Sequence, residues 1–169
     1  MSFPPIYTQV SDTFDRTADT TAYADEDLVS TTTVAGDVVP LSFTIPVQNG
    51  RGIRIVSAAI QKSATSATNA TFSLYLYAEE PIPANGDNGA FSTDVAGFIG
   101  VIDFPIMTAY TDDARAVIHS GAVSGGFNAI NHYMRSTDII YGLLKAQAAY
   151  TPASAETFTV YLTLEQYNA

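Results

Sequence analysis

The side chains able to do chemistry are few: two histidines, His119 and His132, with no cysteine and no tryptophan. A nucleophilic triad can be drawn only from Ser124, His119 and Asp112. Ser124 stands in GAVSGG, which lacks the Gly-x-Ser-x-Gly turn that lifts a serine clear of its sheet. Two histidines without cysteine hold zinc only where carboxylates complete the set, and no HExxH or comparable spacing is present. No Walker loop or GxGxxG element offers a phosphate cradle. Oxygen ligands for a hard cation such as calcium are better supplied, by Asp25-Glu26-Asp27 and by Asn85-Gly86-Asp87-Asn88-Gly89, both in turn-prone stretches. Neither follows the EF-hand register, and Asx and Gly residues form turns on their own account. The residues point away from catalysis, and no cofactor or metal is expected.

Recognition has more to work with. In Ala70–Ala78 the residues Phe72, Leu74 and Leu76 point one way, while Ser73, Tyr75 and Tyr77 point the other. Two tyrosines on one outward face suit a second sheet or a partner, and Tyr161 is a third outward candidate. A glycan reader needs an aromatic platform beside carboxylates, and the neighbouring loop Pro81–Asp94 is where such a pocket is expected. Packing between sheets or subunits accounts for the same tyrosines more economically. Asn69-Ala70-Thr71 matches a glycosylation sequon, which means little without a secretory signal.

The totals narrow the field. A net charge of −10 with only seven Lys and Arg argues against nucleic acid, whose backbone demands cationic patches. An acidic surface keeps a protein soluble and suits a cationic or neutral partner. Charged residues are 14%, and polarity is carried instead by Thr, Ser, Asn and Gln. No apolar run approaches the ~20 residues that span a bilayer, and Met1 to Val10 lacks the basic start and apolar core of a signal peptide. A soluble chain made in a cytoplasm is expected, with no membrane partner. Absence of cysteine leaves the fold independent of redox compartment.

Strands are needed to position these groups, and the pattern supplies them. Leu41, Phe43 and Ile45 alternate with Ser42 and Thr44 between two prolines. Asn49-Gly50 is a tight-turn signal before Gly52–Lys62. Gly97–Phe104 reads as a strand ended by Pro105. Residues 106–128 fit either a helical turn within Met107–Val117 or a loop with a strand at Ala114–His119. Asn131–Arg135 and Asp138–Ala148 follow, the latter apolar enough from Ile139 to Leu144 for burial on both faces. Glu156–Glu165 alternates Phe158, Val160, Leu162 and Leu164 with Thr157, Thr159, Tyr161 and Thr163. Two shorter strands fit near Thr13–Thr17 and Leu28–Thr33. The expectation is an all-β fold, a two-sheet antiparallel sandwich of about eight to ten strands, jelly-roll-like, with a closed barrel as the alternative. Residues 13–169 form its single domain. Residues 1–12, with the Pro4-Pro5 pair, are expected to be an extended N-terminal arm.

The segments NGDNGAFSTDVAGFIG (Asn85–Gly100) and IIYGLLKAQAAYTPASAETFTVYLTLE (Ile139–Glu165), with TFDRTADTTAYADEDLVSTTT near the start, resemble small proteins encoded beside capsid genes in tailed bacteriophages. The resemblance implies a virion structural protein that decorates or cements the capsid exterior, partnered with the major capsid protein and assembled as a trimer or dimer. It carries over no residue roles. Candidate contacts to the shell are Phe3, Pro4, Pro5, Ile6 and Tyr7 of the arm, the acidic Asp25, Glu26 and Asp27, and the outward Tyr75 and Tyr77. A receptor- or glycan-binding module of a tail fibre or spike is the alternative.

Overall fold

The computed structural model describes residues 5–46, 51–121, 126, 128–133 and 139–168. The expected Asn49-Gly50 turn, Ser124, and Phe3 and Pro4 lie outside them, as does the His132 side chain. Eleven strands occur among the described residues: β1 Ile6–Asp15, β2 Leu28–Val29, β3 Leu41–Thr44, β4 Arg51–Lys62, β5 Phe72–Tyr77, β6 Phe98–Asp103, β7 Thr108–Ala109, β8 Ala114–His119, β9 Ile130–Tyr133, β10 Ile139–Ala146 and β11 Thr157–Asn168. The strand reading of Ala114–His119 holds, and no helical turn forms between Met107 and Val117. The Leu28–Thr33 strand shrinks to the two residues of β2, because Asp87 N–H donates to Thr32 O and Ser30 N–H to Asp87 Oδ1. That backbone is satisfied by a loop instead of a ladder.

The strands form two antiparallel sheets. The first runs β1-β11-β4-β8-β7, with β9 also on β4; the second runs β2-β10-β5-β6, with β3 also on β10. Successive groups of strands alternate between sheets, from β1 to β2 and β3, back to β4, across to β5 and β6, and so on to β11. Period-two alternation decides which side chains meet between the layers. Phe158, Val160, Leu162 and Leu164 of β11 face Leu41, Phe43, Phe72, Leu74 and Leu76 of the second sheet, all but fully buried. Phe158 lies between Phe14, stacked at 5.5 Å, and the edge of Phe72 at 5.4 Å. Such pairs add roughly 0.5–1.5 kcal/mol each beyond the area they bury.

The arm expected over residues 1–12 is not one from Ile6 onward. β1 pairs with β11 in unbroken register from Ile6↔Gln166 to Asp15↔Thr157. Val10 and Phe14 pack on the core, and Asp12 Oδ2 accepts the Ser42 N–H at 2.7 Å, joining the two layers at this edge. The alternation Thr8, Val10, Asp12, Phe14 is weak because two of its four inward residues are polar, which hides the strand in the sequence.

Tyr77 is also not outward. Its face of the second sheet carries a smaller apolar cluster of Leu28, Val38, Tyr77 and Leu143, with Tyr75, Phe91 and Tyr141 against it. The loop between β5 and β6 folds back over that face and covers Tyr77, which is 1% exposed. Gly86 makes the fold-back possible: a Cβ there would sit 2.3 Å from the carbonyl carbon of Thr33.

Candidate functional site

Charged groups that look reactive in the sequence are occupied. Asp87, proposed above among cation ligands, is buried in an ion pair with Arg16 at 3.1 Å and accepts the Tyr23 hydroxyl at 2.5 Å. Arg16 also donates to Tyr23 and Asp19. Tyr23 stacks on Tyr150 with centroids 6.2 Å apart, and Tyr150 donates to Glu156. Glu156 in turn pairs with Lys62 at 2.7 Å. This belt of Arg16, Asp87, Tyr23, Tyr150, Glu156 and Lys62 ties the ends of β1, β4 and β11 together. Burial, reinforced by the bonds to Asp87 and Glu156, pushes the phenols of Tyr23 and Tyr150 far above the usual tyrosine range. All six side chains are enclosed. Sequence reasoning missed the belt, although Lys62 falls on the inward face two residues after Ile60.

The acidic trio is knitted into the fold. Glu26 N–H donates to Ala146 O and Ala146 N–H to Asp27 O, both at 2.9 Å, and Phe91 N–H donates to Glu26 O. Asp27 Oδ2 accepts the Ala24 N–H at 2.6 Å. Glu26 sits in the left-handed region at φ 70° and meets Lys145 at 3.0 Å. Asp25 and Glu26 remain exposed. Among the described residues no three His, Cys, Asp or Glu side chains gather as a metal site would require. His119 and Asp112 are both exposed, His119 at the end of β8 and Asp112 in the turn before it.

Through its bond to Phe91 the trio's turn reaches a cavity where two sequence-chosen residues meet. Tyr75 and Tyr77 line a pocket of about 390 Å³ together with Phe91, Phe98 and the segment Ser92–Val95. Phe98 reaches it through a bulge. The β5–β6 register shifts between Leu76 and Tyr77, so that Gly100 faces Leu76 and Phe98 faces Tyr77. The extra residue, Ile99, turns inward onto the core and Phe98 turns out. Gly97, at φ +68°, allows the approach: a Cβ there would lie 2.8 Å from Glu79 N. Phe91 meets Tyr75 with centroids 4.5 Å apart, and Phe98 meets Tyr77 edge-on at 5.7 Å. The Lys145 ammonium lies 5.6 Å from the Tyr75 centroid. Asp94 Oδ1 accepts the Ala96 N–H at 3.0 Å, fixing the carboxylate at the rim. Burial raises the Tyr77 phenol above its ordinary value. Phe91 and Phe98 escaped the sequence reading because one lies in a loop and the other sits out of phase with its strand.

Of the remaining candidates, Pro5 precedes β1 and is exposed, Ile6 is on the inward face at its open end, and Tyr7 is on the outward face at 60% exposure. That outward face is bare. Its rows run Ser11, Tyr161, Ala59, Val117 and Thr13, Thr159, Gln61, Arg115 across β1, β11, β4 and β8. Thr13 and Thr159 share a hydrogen bond at 2.9 Å.

No family model matches the chain, and no curated protein does. Among solved structures, one described as the structure of infectious bursal disease virus Gt strain aligns with 99% of this chain at 12% identity and a TM-score of 0.23. The chain spans 42% of that viral chain's length. A likeness of that size carries no argument for fold or role.

Proposed function

We propose that this chain is a virion structural protein that decorates or cements a bacteriophage capsid through non-covalent contacts, without catalysis. The observation that carries the reading is the bare outer face of the first sheet. It is four strands wide across β1, β11, β4 and β8, with small and hydroxyl side chains such as Ser11, Thr13, Thr159 and Ala59 at its centre, Tyr7 and Val117 standing out, and the Arg54–Glu165 and Arg115–Asp113 pairs towards its margins. A face whose centre is small and uncharged suits side-by-side contact with a shell or a second copy, and trimers or dimers fit capsid symmetry axes. The major capsid protein is the proposed partner and the capsid exterior the proposed location. The strand orders β1-β11-β4-β8 and β3-β10-β5-β6 agree with a jelly roll, a build shared by capsid and lectin domains. That agreement is analogy at the level of fold.

Electron micrographs of particles made with and without the protein test the reading. The expected result is added density over the head shell, and replacing Ala59 with Arg in the centre of the bare face lowers its occupancy while leaving the circular dichroism unchanged. Density confined to the tail, or absent, overturns the proposal. The second reading, a receptor- or glycan-binding module, is favoured by the aromatic pocket with its rim carboxylate.

A further inference from the structure

We infer that the pocket on the second sheet is a saccharide site for the face of a neutral pyranose, an inference that rests on the second reading above and gives it a location and a ligand class. Its volume of about 390 Å³ sits toward the lower end of the ~300–1,000 Å³ typical of small-molecule sites. That is room for one or two sugar rings.

The wall chemistry selects among ligands. Tyr75, Phe91 and Phe98 supply aromatic surface from two strands and a loop, backed by the buried Tyr77, with Phe98 held 44% exposed at the mouth. The C–H face of a pyranose packs on such rings, while its hydroxyls need polar partners at the edge. Ser92 and Asp94, both exposed, supply them from the loop. Asp94 Oδ1 is held by the Ala96 N–H, and its Oδ2 has no protein hydrogen bond among the described residues, leaving an acceptor for sugar hydroxyls. An entirely apolar occupant would displace water from that carboxylate without replacing its hydrogen bonds. An anionic sugar would meet both Asp94 and a chain of net charge −10. A cation would meet the Lys145 ammonium already seated beside Tyr75. A neutral, amphipathic ring is what remains.

The pocket is also preorganised. The Ser92 carbonyl accepts the Ala84 N–H at 2.8 Å, Pro83 bridges Thr93, and Phe91 is tied to Glu26, so both sides of the loop are anchored. Little ordering is left for a ligand to drive, which favours binding of small solutes.

Saturation-transfer NMR on the full chain tests the inference. The probes are glucose, galactose, mannose, N-acetylglucosamine and their disaccharides, with sialic acid and tetramethylammonium as charged comparisons. The expected result is transfer to ring protons of at least one neutral sugar. Phe98→Ala and Asp94→Asn should each weaken it about tenfold, and Val117→Ala on the opposite sheet should leave it unchanged. Both pocket residues are exposed at the mouth, so thermal unfolding reports whether either variant has lost its fold. Silence from every neutral sugar overturns this site and the glycan reading together. A neutral sugar bound equally by Phe98→Ala removes the site from this pocket but leaves glycan binding standing. Binding of sialic acid or tetramethylammonium alone overturns the ligand class.

Discussion

The Lys62 ammonium lies 2.7 Å from Glu156 Oε1, and neither side chain reaches solvent. A buried pair of this kind is expensive to break and cheap to replace, because an orphaned charge in the interior keeps its desolvation penalty and loses its partner. Glu156→Gln is therefore expected to lower stability by about 3–5 kcal/mol, since it also weakens the acceptor for Tyr150. Replacing both partners with Met and Leu is expected to cost far less, or nothing. Urea unfolding of the two variants checks this, and a double variant no better than the single one would contradict it. The pair was legible in principle, since Ile60 and Lys62 share the inward face of β4. Arg16, the lone cation amid acidic residues, carried a similar hint. Neither hint names the partner, because Asp87 and Glu156 lie 71 and 94 residues away from Arg16 and Lys62.

At the scale of elements, alternation made β3, β5 and β11 readable, and the apolar run made β10 readable. Inside, β3, β5 and β10 present apolar faces, and β11 is apolar from Phe158 to Leu164 before the buried Gln166. β1 was harder, because Asp12 takes an inward position and serves as a hydrogen-bond acceptor for Ser42 N–H across the layers. The covered face of the second sheet was harder still. Tyr75 and Tyr77 read as outward by period, and only the fold-back of the β5–β6 loop, which no local pattern announces, encloses them. The correction to β1 changes what a truncation does. Removing residues 1–12 strips Ile6–Asp12 from β11, together with the Val10 packing and the charged hydrogen bond of Asp12. That bond alone is worth about 1.5–3 kcal/mol. The truncated chain is expected to melt markedly lower. Tyr7→Ser, on the bare face, is expected to stay within about 0.5 kcal/mol of the parent. Differential scanning calorimetry distinguishes the two, and an unshifted melting temperature in the truncated chain would restore the arm.

The whole molecule is bounded in pH from both sides. Asp19 is held below the ordinary carboxylate range by the Thr21 N–H and by Arg16. A depressed carboxyl contributes stability above its unfolded value and loses it as pH falls through the folded one, so stability declines below about pH 4. Tyr23, Tyr150 and Tyr77 are raised by burial. Their contribution is complete below the unfolded value and is lost as pH climbs beyond about 10. Unfolding midpoints measured across the pH scale are expected to form a plateau that falls away at both ends. Tyrosinate absorbance offers a finer check. Of the ten tyrosines, Tyr23 and Tyr150 should stay silent until the chain unfolds, and uniform ionisation of all ten in the folded state would contradict the enclosed belt. The pairing of β1 with β11 has a consequence in time. On a ribosome adding ~5–20 residues per second, the first strand emerges and then waits roughly ten seconds or more for the strand it must lie against. Throughout that interval its Val10 and Phe14 have no mate on β11, which leaves the ribbon open to wrong neighbours.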